Sequence, residues 1–135
     1  MLPSTRYSAF TSGPRLSPFC RPPFPPVRLI ARTGCGVEAG VRVELRVGGF
    51  RWVALHTECE KNRLFVDEQS QGPFAKWIHR HEFEAVGSTT RLTDRIEYEL
   101  PGGARVNSLF GWTVNLGLRN MFSHRHRVTR EAVRV

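Results

Sequence analysis

The last third of the sequence constrains the fold most tightly. Polar and apolar residues alternate from Phe74 to Leu100, with one interruption at Gly87-Ser88. Pro101-Gly102-Gly103 ends that pattern, and apolar residues then recur at steps of three and four from about Arg105 to Arg134. Period-two alternation marks a half-buried strand; the longer step marks a helix packed on one side. Val106, Phe110, Val114, Leu118, Met121, Arg125, Val128 and Ala132 form the predicted buried stripe, widened by Leu109 and Phe122. Such a helix is roughly 40 Å long at about 1.5 Å per residue, enough to cross a whole sheet.

Shorter alternating runs precede it. Val27 to Arg32, Gly40 to Val47, Phe50 to Cys59, Arg63 to Gln69, Phe74 to Val86 and Thr90 to Leu100 are predicted strands. Glycine-containing or polar turns separate most of them, including Gly48-Gly49, Glu60-Lys61-Asn62, Gly72-Pro73 and Gly87-Ser88. Six strands in hairpin succession and one helix give an α+β domain. One sheet face can stay in water, but the other needs a cover, and the helix is the only large one.

The chain has 135 residues, which suits one domain with one core. Its net charge of +8 comes almost entirely from arginine, since Lys61 and Lys76 are the only lysines. Arg42, Arg46, Arg91 and Arg95 alternate with acids along strands, as on a solvated sheet face, and no reading element accompanies the charge. Nucleic-acid binding is therefore not expected. No apolar run approaches the ~20 residues that span a bilayer. Cys20, Cys35 and Cys59 lack paired spacing, which argues against a disulfide framework and a structural zinc site. Residues before Glu38 are basic, serine-containing and free of acids, as in a transit peptide, but the prolines from Pro14 to Pro26 would break its helix. A cytoplasmic setting is expected. A short helical piece is predicted around Tyr7 to Phe10, and an ordered loop pinned by Phe19 and Phe24 over Pro14 to Pro26.

Several runs stand in a recognisable order: Phe65-Val66-Asp67-Glu68-Gln69, Gly72-Pro73-Phe74, Trp77-x-His79-x-His81-x-Phe83, Thr93-Asp94, Tyr98-x-Leu100-Pro101 and Met121-Phe122-x-x-Arg125-His126. Together they resemble the ligand-binding SRPBCC proteins, the helix-grip superfamily of START domains, birch pollen allergen and polyketide cyclase/dehydrases. The resemblance runs from about Leu16 to Ala132, so residues 16–135 are expected to form the domain and 1–15 an irregular remnant. It implies a first strand, two short helices, six further strands and the long helix, a curved sheet wrapped on that helix. It also implies a small hydrophobic or amphipathic ligand between the two, with no cofactor. The first strand, expected at the sheet edge beside the strand of Asp94, is not visible in the sequence. Either it is lost or the start codon is assigned late.

Candidate chemistry falls on the inner face. His79 and His81 project from one side of a strand, and His56, Asp94 or Glu68 would be the third ligand of a metal site. Without cysteine partners or a second histidine pair, no metal is expected. Asp94 interrupts an apolar face between Leu92 and Ile96, so it must be paired, protonated or wet. A structural pair is the favoured reading; an acid–base role with His79 or His81 in cyclisation or dehydration is the alternative. Trp52, Phe65, Phe83, Phe110 and Trp112 are read as core. Trp77, His79, His81, Asp94, Tyr98, Leu118, Met121 and Phe122 form the expected pocket, mostly apolar with a few polar anchors. His124-Arg125-His126-Arg127 is read as a basic helix C-terminal end, solvated on one side. Binding of a hydrophobic molecule is the expected function, with a cyclase/dehydratase-like enzyme and a non-catalytic lipid- or protein-partner module as alternatives.

Overall fold

The computed structural model describes residues 5–8, 26–34 and 36–133. Among these described residues seven strands precede one helix: β1 (Thr5–Ser8), β2 (Val27–Arg32), β3 (Arg42–Val47), β4 (Phe50–Glu60), β5 (Leu64–Gln71), β6 (Lys76–Val86), β7 (Thr89–Glu99) and α1 (Ala104–Val133). They form one sheet in the order β1-β7-β6-β5-β4-β3-β2, and every neighbouring pair is antiparallel. Hairpins account for every neighbour from β2 to β7, so only β1 joins from a distance. The register shifts at Leu29/Ala31, Val53/Ala54 and His56/Glu58, irregularities of the kind that bend a sheet.

The six predicted strands and the helix all form, with ends displaced by a few residues at most. The seventh strand corrects the sequence reading. Thr5 to Ser8 pairs with β7, setting Thr5 opposite Asp94 and Ser8 opposite Arg91. That is the edge where the first strand appeared to be missing. Four residues are too few to display an alternation, and their partner lies more than eighty positions along the chain, so no local signal marks them. Tyr7 is accordingly extended rather than helical. The expected loop over Pro14 to Pro26, apart from Pro26 itself, and the two short helices lie outside the described residues.

The helix is laid back along β7. The Leu100 amide donates to Asn107 Oδ1 at 2.8 Å. The Tyr98 hydroxyl donates to the Gly111 carbonyl at 2.9 Å and lies 2.7 Å from Asn115 Oδ1. His126 reaches Asp94. Positions 100, 98 and 94 thus meet 107, 111–115 and 126 in reverse order. The reversal is made at Gly102-Gly103, whose φ angles are 102° and 76°. A Cβ on Gly102 would also stand 2.5 Å from Val106 Cγ2.

This docking shifts the helix phase from the predicted stripe. The inward line runs through Asn107, Gly111, Val114, Leu118, Phe122 and His126. Phe110 and Leu109, expected inside, are 56% and 66% exposed, and Trp112 is 67% exposed. Small and polar residues occupy the first two inward turns because the Tyr98 hydroxyl bonds the helix backbone there. Trp77, Ile96 and Phe122 form the buried core, with Trp52, Phe74, Tyr98, Leu118 and Met121 packed around it.

Gly117 is exposed in mid-helix, with nothing within 4 Å of a Cβ built there. Gly117→Ala should therefore stabilise the protein by about 0.5–1 kcal/mol, the helix-propensity difference. Gly102→Ala should destabilise it by more than about 1 kcal/mol, since the turn needs positive φ. Urea midpoints of the two variants should move in opposite directions.

Candidate functional site

The strand register assembles a row of polar side chains on the covered face. His56 pairs with Asp67 across β4 and β5, and Asp67 pairs with His79 across β5 and β6. His81, two residues further on the same face, pairs with Asp94 across β6 and β7. Residues opposite one another in antiparallel strands point to the same side. Glu68 is opposite Leu55 and Ile78, on the other face, so the carboxylate beside the histidines is Asp67. His126 enters from the helix, one turn beyond Phe122.

Asp94 is the hub. His79 Nε2 lies 2.9 Å and His81 Nδ1 2.8 Å from its Oδ1, and His126 Nε2 contacts Oδ2. On the far side of the same imidazoles, Asp67 Oδ2 lies 3.1 Å from His81 Nε2 and 3.6 Å from His79 Nδ1. Each β6 imidazole therefore stands between two carboxylates. The row is screened from water: side-chain exposure is 6% for His79, 5% for His81, 6% for Asp94, 15% for Asp67 and 1% for His126.

Rings hold the imidazoles in place. Phe65 stacks on His81 at 3.8 Å with 14° between planes. His79 lies 3.7 Å from His81 and meets the edge of Phe122 at 5.3 Å and 86°. Beyond Phe122 the surface becomes apolar and mostly aromatic. Trp52 and Trp77 pack edge-on at 5.0 Å, Phe74 lies 4.8 Å from Trp77, and Phe74 lies 5.6 Å from Tyr98. Leu118 and Met121 close this end from the helix. The inner face thus has an apolar end and a polar end, joined at His79 and Phe122.

The sequence matches the family described as polyketide cyclase / dehydrase and lipid transport over residues 7–124. The chain belongs to this family. The fold is shared with solved structures. Ara h 8.0201 superposes with a TM-score of 0.62 at 10% identity, over 96% of this chain and 97% of that one. TTHA0849 from Thermus thermophilus gives 0.57 at 17% identity, covering 97% and 99%. A START superfamily protein from Mycobacterium smegmatis gives 0.61 at 15% identity, covering 98% and 96%. No curated protein matches the chain. Identities this low speak for the helix-grip fold alone, so the chemistry has to be argued from this family member's own side chains.

Of the residues singled out from sequence, Trp77, Tyr98, Leu118, Met121 and Phe122 meet at the apolar end, and His79, His81 and Asp94 at the polar end. Sequence reasoning missed two. His126 belongs to the basic end read as solvated on one side, and it stands on the other side, buried against Asp94; its place four residues after Phe122 is the available signal. Asp67 lies in Val66-Asp67-Glu68-Gln69, where consecutive polar residues hide which one points inward.

Burial sets the protonation of the row. For His79, desolvation and the neighbouring His81 outweigh the two carboxylates and lower its pKa from 6.5 to about 4. For Asp94, burial opposes ionisation, but hydrogen bonds from His126, His79 and His81 prevail and hold the carboxyl well below the usual range. Asp67 is also lowered: burial pushes it up, and the His81 hydrogen bond and histidine charges more than compensate. The resting row is then neutral His79 beside ionised aspartates.

A histidine with a depressed pKa binds fewer protons folded than unfolded between pH 4 and 6.5. Its contribution is complete above 6.5 and declines as pH falls toward 4. The aspartates add a further loss below the unfolded carboxyl pKa of about 3.9. The melting temperature should therefore fall steadily from pH 7 to pH 4. In His79→Asn that slope should flatten, and an unchanged slope would show that His79 is not the titrating group.

Proposed function

We propose that this protein binds one small amphipathic molecule between sheet and helix. The apolar body lies against Trp52, Phe74, Trp77, Tyr98, Leu118, Met121 and Phe122, and the polar group is directed at the Asp67–His79–His81 row. The observation that carries this reading is the joining of an aromatic surface to a buried, hydrogen-bonding row under a single helix. Mostly apolar walls with a few fixed polar groups are what small-molecule sites require. The family's description, which includes lipid transport, supports the same class of ligand. Fold alone would not, since one fold serves many functions.

A second reading has one specific observation behind it. A neutral imidazole hydrogen-bonded to an ionised carboxylate, as in His79 and Asp94, is oriented for proton transfer to or from a bound molecule. Dehydration or cyclisation of a polyketide-like substrate would use such a pair. Under this reading, Asp94→Asn removes turnover by several orders of magnitude in a folded protein. Under simple binding, it changes affinity by roughly tenfold or less.

Native mass spectrometry of the freshly purified full-length protein tests binding itself. A co-purifying apolar species is expected, and it should be lost from Met121→Trp, where the indole fills the apolar end. Tryptophan fluorescence should respond to the same ligand in the wild type, since Trp52 and Trp77 line the site. No bound species, together with no thermal shift across a panel of fatty acids, sterols and aromatic polyketides, would sink the proposal.

A further inference from the structure

We propose that Asp67, His79 and His81 form a binding site for one divalent transition-metal ion of the zinc or iron(II) class. The inference goes beyond ligand binding and does not depend on it.

The row has fewer ring protons than nitrogen–carboxylate contacts. A neutral imidazole has one N–H donor and one lone pair. His79 Nε2 and His81 Nδ1 lie 2.9 and 2.8 Å from Asp94 Oδ1, which are hydrogen-bond lengths. Ring protons placed there satisfy Asp94. With both protons there, His79 Nδ1 and His81 Nε2 are lone pairs 3.6 and 3.1 Å from Asp67 Oδ2. His81 is equally within hydrogen-bond reach of Asp67 through Nε2, and a neutral ring has one proton for the two carboxylates. Whichever carboxylate takes it, one electron-rich contact in this dry place has no hydrogen, and a cation among Asp67, His79 and His81 supplies the missing positive charge.

The spacing suits a metal ion. Donor atoms held at about 2.0–2.2 Å from one ion are about 3.0–3.6 Å from each other in tetrahedral or octahedral arrangement. The two distances from Asp67 Oδ2 fall in that range, and one donor atom from each of the three residues lies within 4.8 Å of the other two. Two imidazoles and one carboxylate suit zinc or iron(II), whereas calcium and magnesium take oxygen ligands.

The surroundings match what a metal site needs. A metal-bound histidine usually gives its second ring N–H to a carboxylate, which fixes tautomer and orientation. Asp94 does this for His79 and has its Oδ1 2.8 Å from His81 Nδ1, in place to do the same once the ion takes His81 Nε2, and His126 in turn holds Asp94. Asp94 and His126 are thus positioning residues. Phe65 and Phe122 fix the ring planes. The sequence offers His56, Asp94 or Glu68 as third ligand to the H-x-H pair; the register brings Asp67 instead, directly opposite His79.

A proton on His81 is the competing cation, since an imidazolium would also satisfy both carboxylates. The two differ in a single measurement. Full-length protein is stripped with chelator, dialysed, and titrated with zinc by calorimetry and with cobalt(II) by absorption. The expected result is one ion per chain, cobalt d–d bands without sulfur charge transfer, and a higher melting temperature with zinc. Asp67→Asn should weaken zinc at least 100-fold. Asp94→Asn should weaken it about 10–100-fold while keeping one ion per chain and altering the cobalt spectrum. In wild-type protein, zinc should shift the ring NMR signals of His79 and His81 and leave those of half-buried His124, outside the row, unmoved, so the outcome does not depend on any variant folding. No stoichiometric uptake of zinc, cobalt or iron(II), a sulfur-ligated spectrum, or affinity unchanged in Asp67→Asn would overturn the proposal.

Discussion

An ionised carboxylate, Asp94, sits inside the sheet–helix interface, and the arrangement of β6, β7 and α1 depends on it. A buried charge costs several kcal/mol in desolvation unless it is paired and hydrogen-bonded. Asp94 is met by His79 and His81 from the adjacent strand and by His126 from the helix. These contacts are directional, so they specify where the helix lies as well as that it lies somewhere. Apolar packing of Phe122 on Trp77 and Ile96 would tolerate sliding by part of a turn; a histidine seated on a carboxylate would not. Tyr98 on Gly111 and Asn107 on Leu100 set the other end of the helix in the same way. Hydrophobic burial supplies most of the stability, and this handful of polar contacts supplies the register.

The row itself is a consequence of hairpin register. A slip of one residue between β5 and β6 would turn Asp67 away from His79 and bring Glu68 inward. The bulges between β4 and β5 leave His56 opposite Asp67 and Val66 opposite Glu58, so the irregularity affects the row's outer end only. From Asp67 to Asp94 the pairing is regular, which holds the four central groups in fixed lateral positions.

The elements were legible in sequence wherever period and burial agree. Lys76 to Val86 alternates cleanly and each alternate residue from Trp77 to His81 is buried, so strand, face and the histidine pair were all readable. Asp94 was readable because it breaks an apolar face. On the helix, the informative positions carry residues of the wrong character for their burial. Gly111 and Asn115 lie inward on a helix whose Leu109, Phe110 and Trp112 lie outward, so a stripe phased on large apolar side chains came out rotated. That rotation put Arg125 on the stripe in place of His126. Asp67 was hidden among polar neighbours, and β1 was too short for any pattern. Each exception is explained by a contact with a distant part of the chain, which a local window cannot contain.

The same exceptions bear on what the inner face is for. A core selected only for stability would carry apolar residues at 67, 79, 81, 94 and 126, since replacing a buried ionic cluster by packed apolar side chains is often neutral or stabilising. The aromatic end shows that this chain can build such a core, with Trp52, Phe74, Trp77 and Tyr98 in direct ring contact. Fixing the helix needs one polar contact on Asp94, and His126 alone would provide it. His79, His81 and Asp67 go further than docking requires, and they bring His79 Nδ1, His81 Nε2 and Asp67 Oδ2 close together on the side away from Asp94. That surplus of oriented polarity beside an aromatic wall is where a bound cation or the polar group of a ligand gains the most and where the fold by itself gains the least.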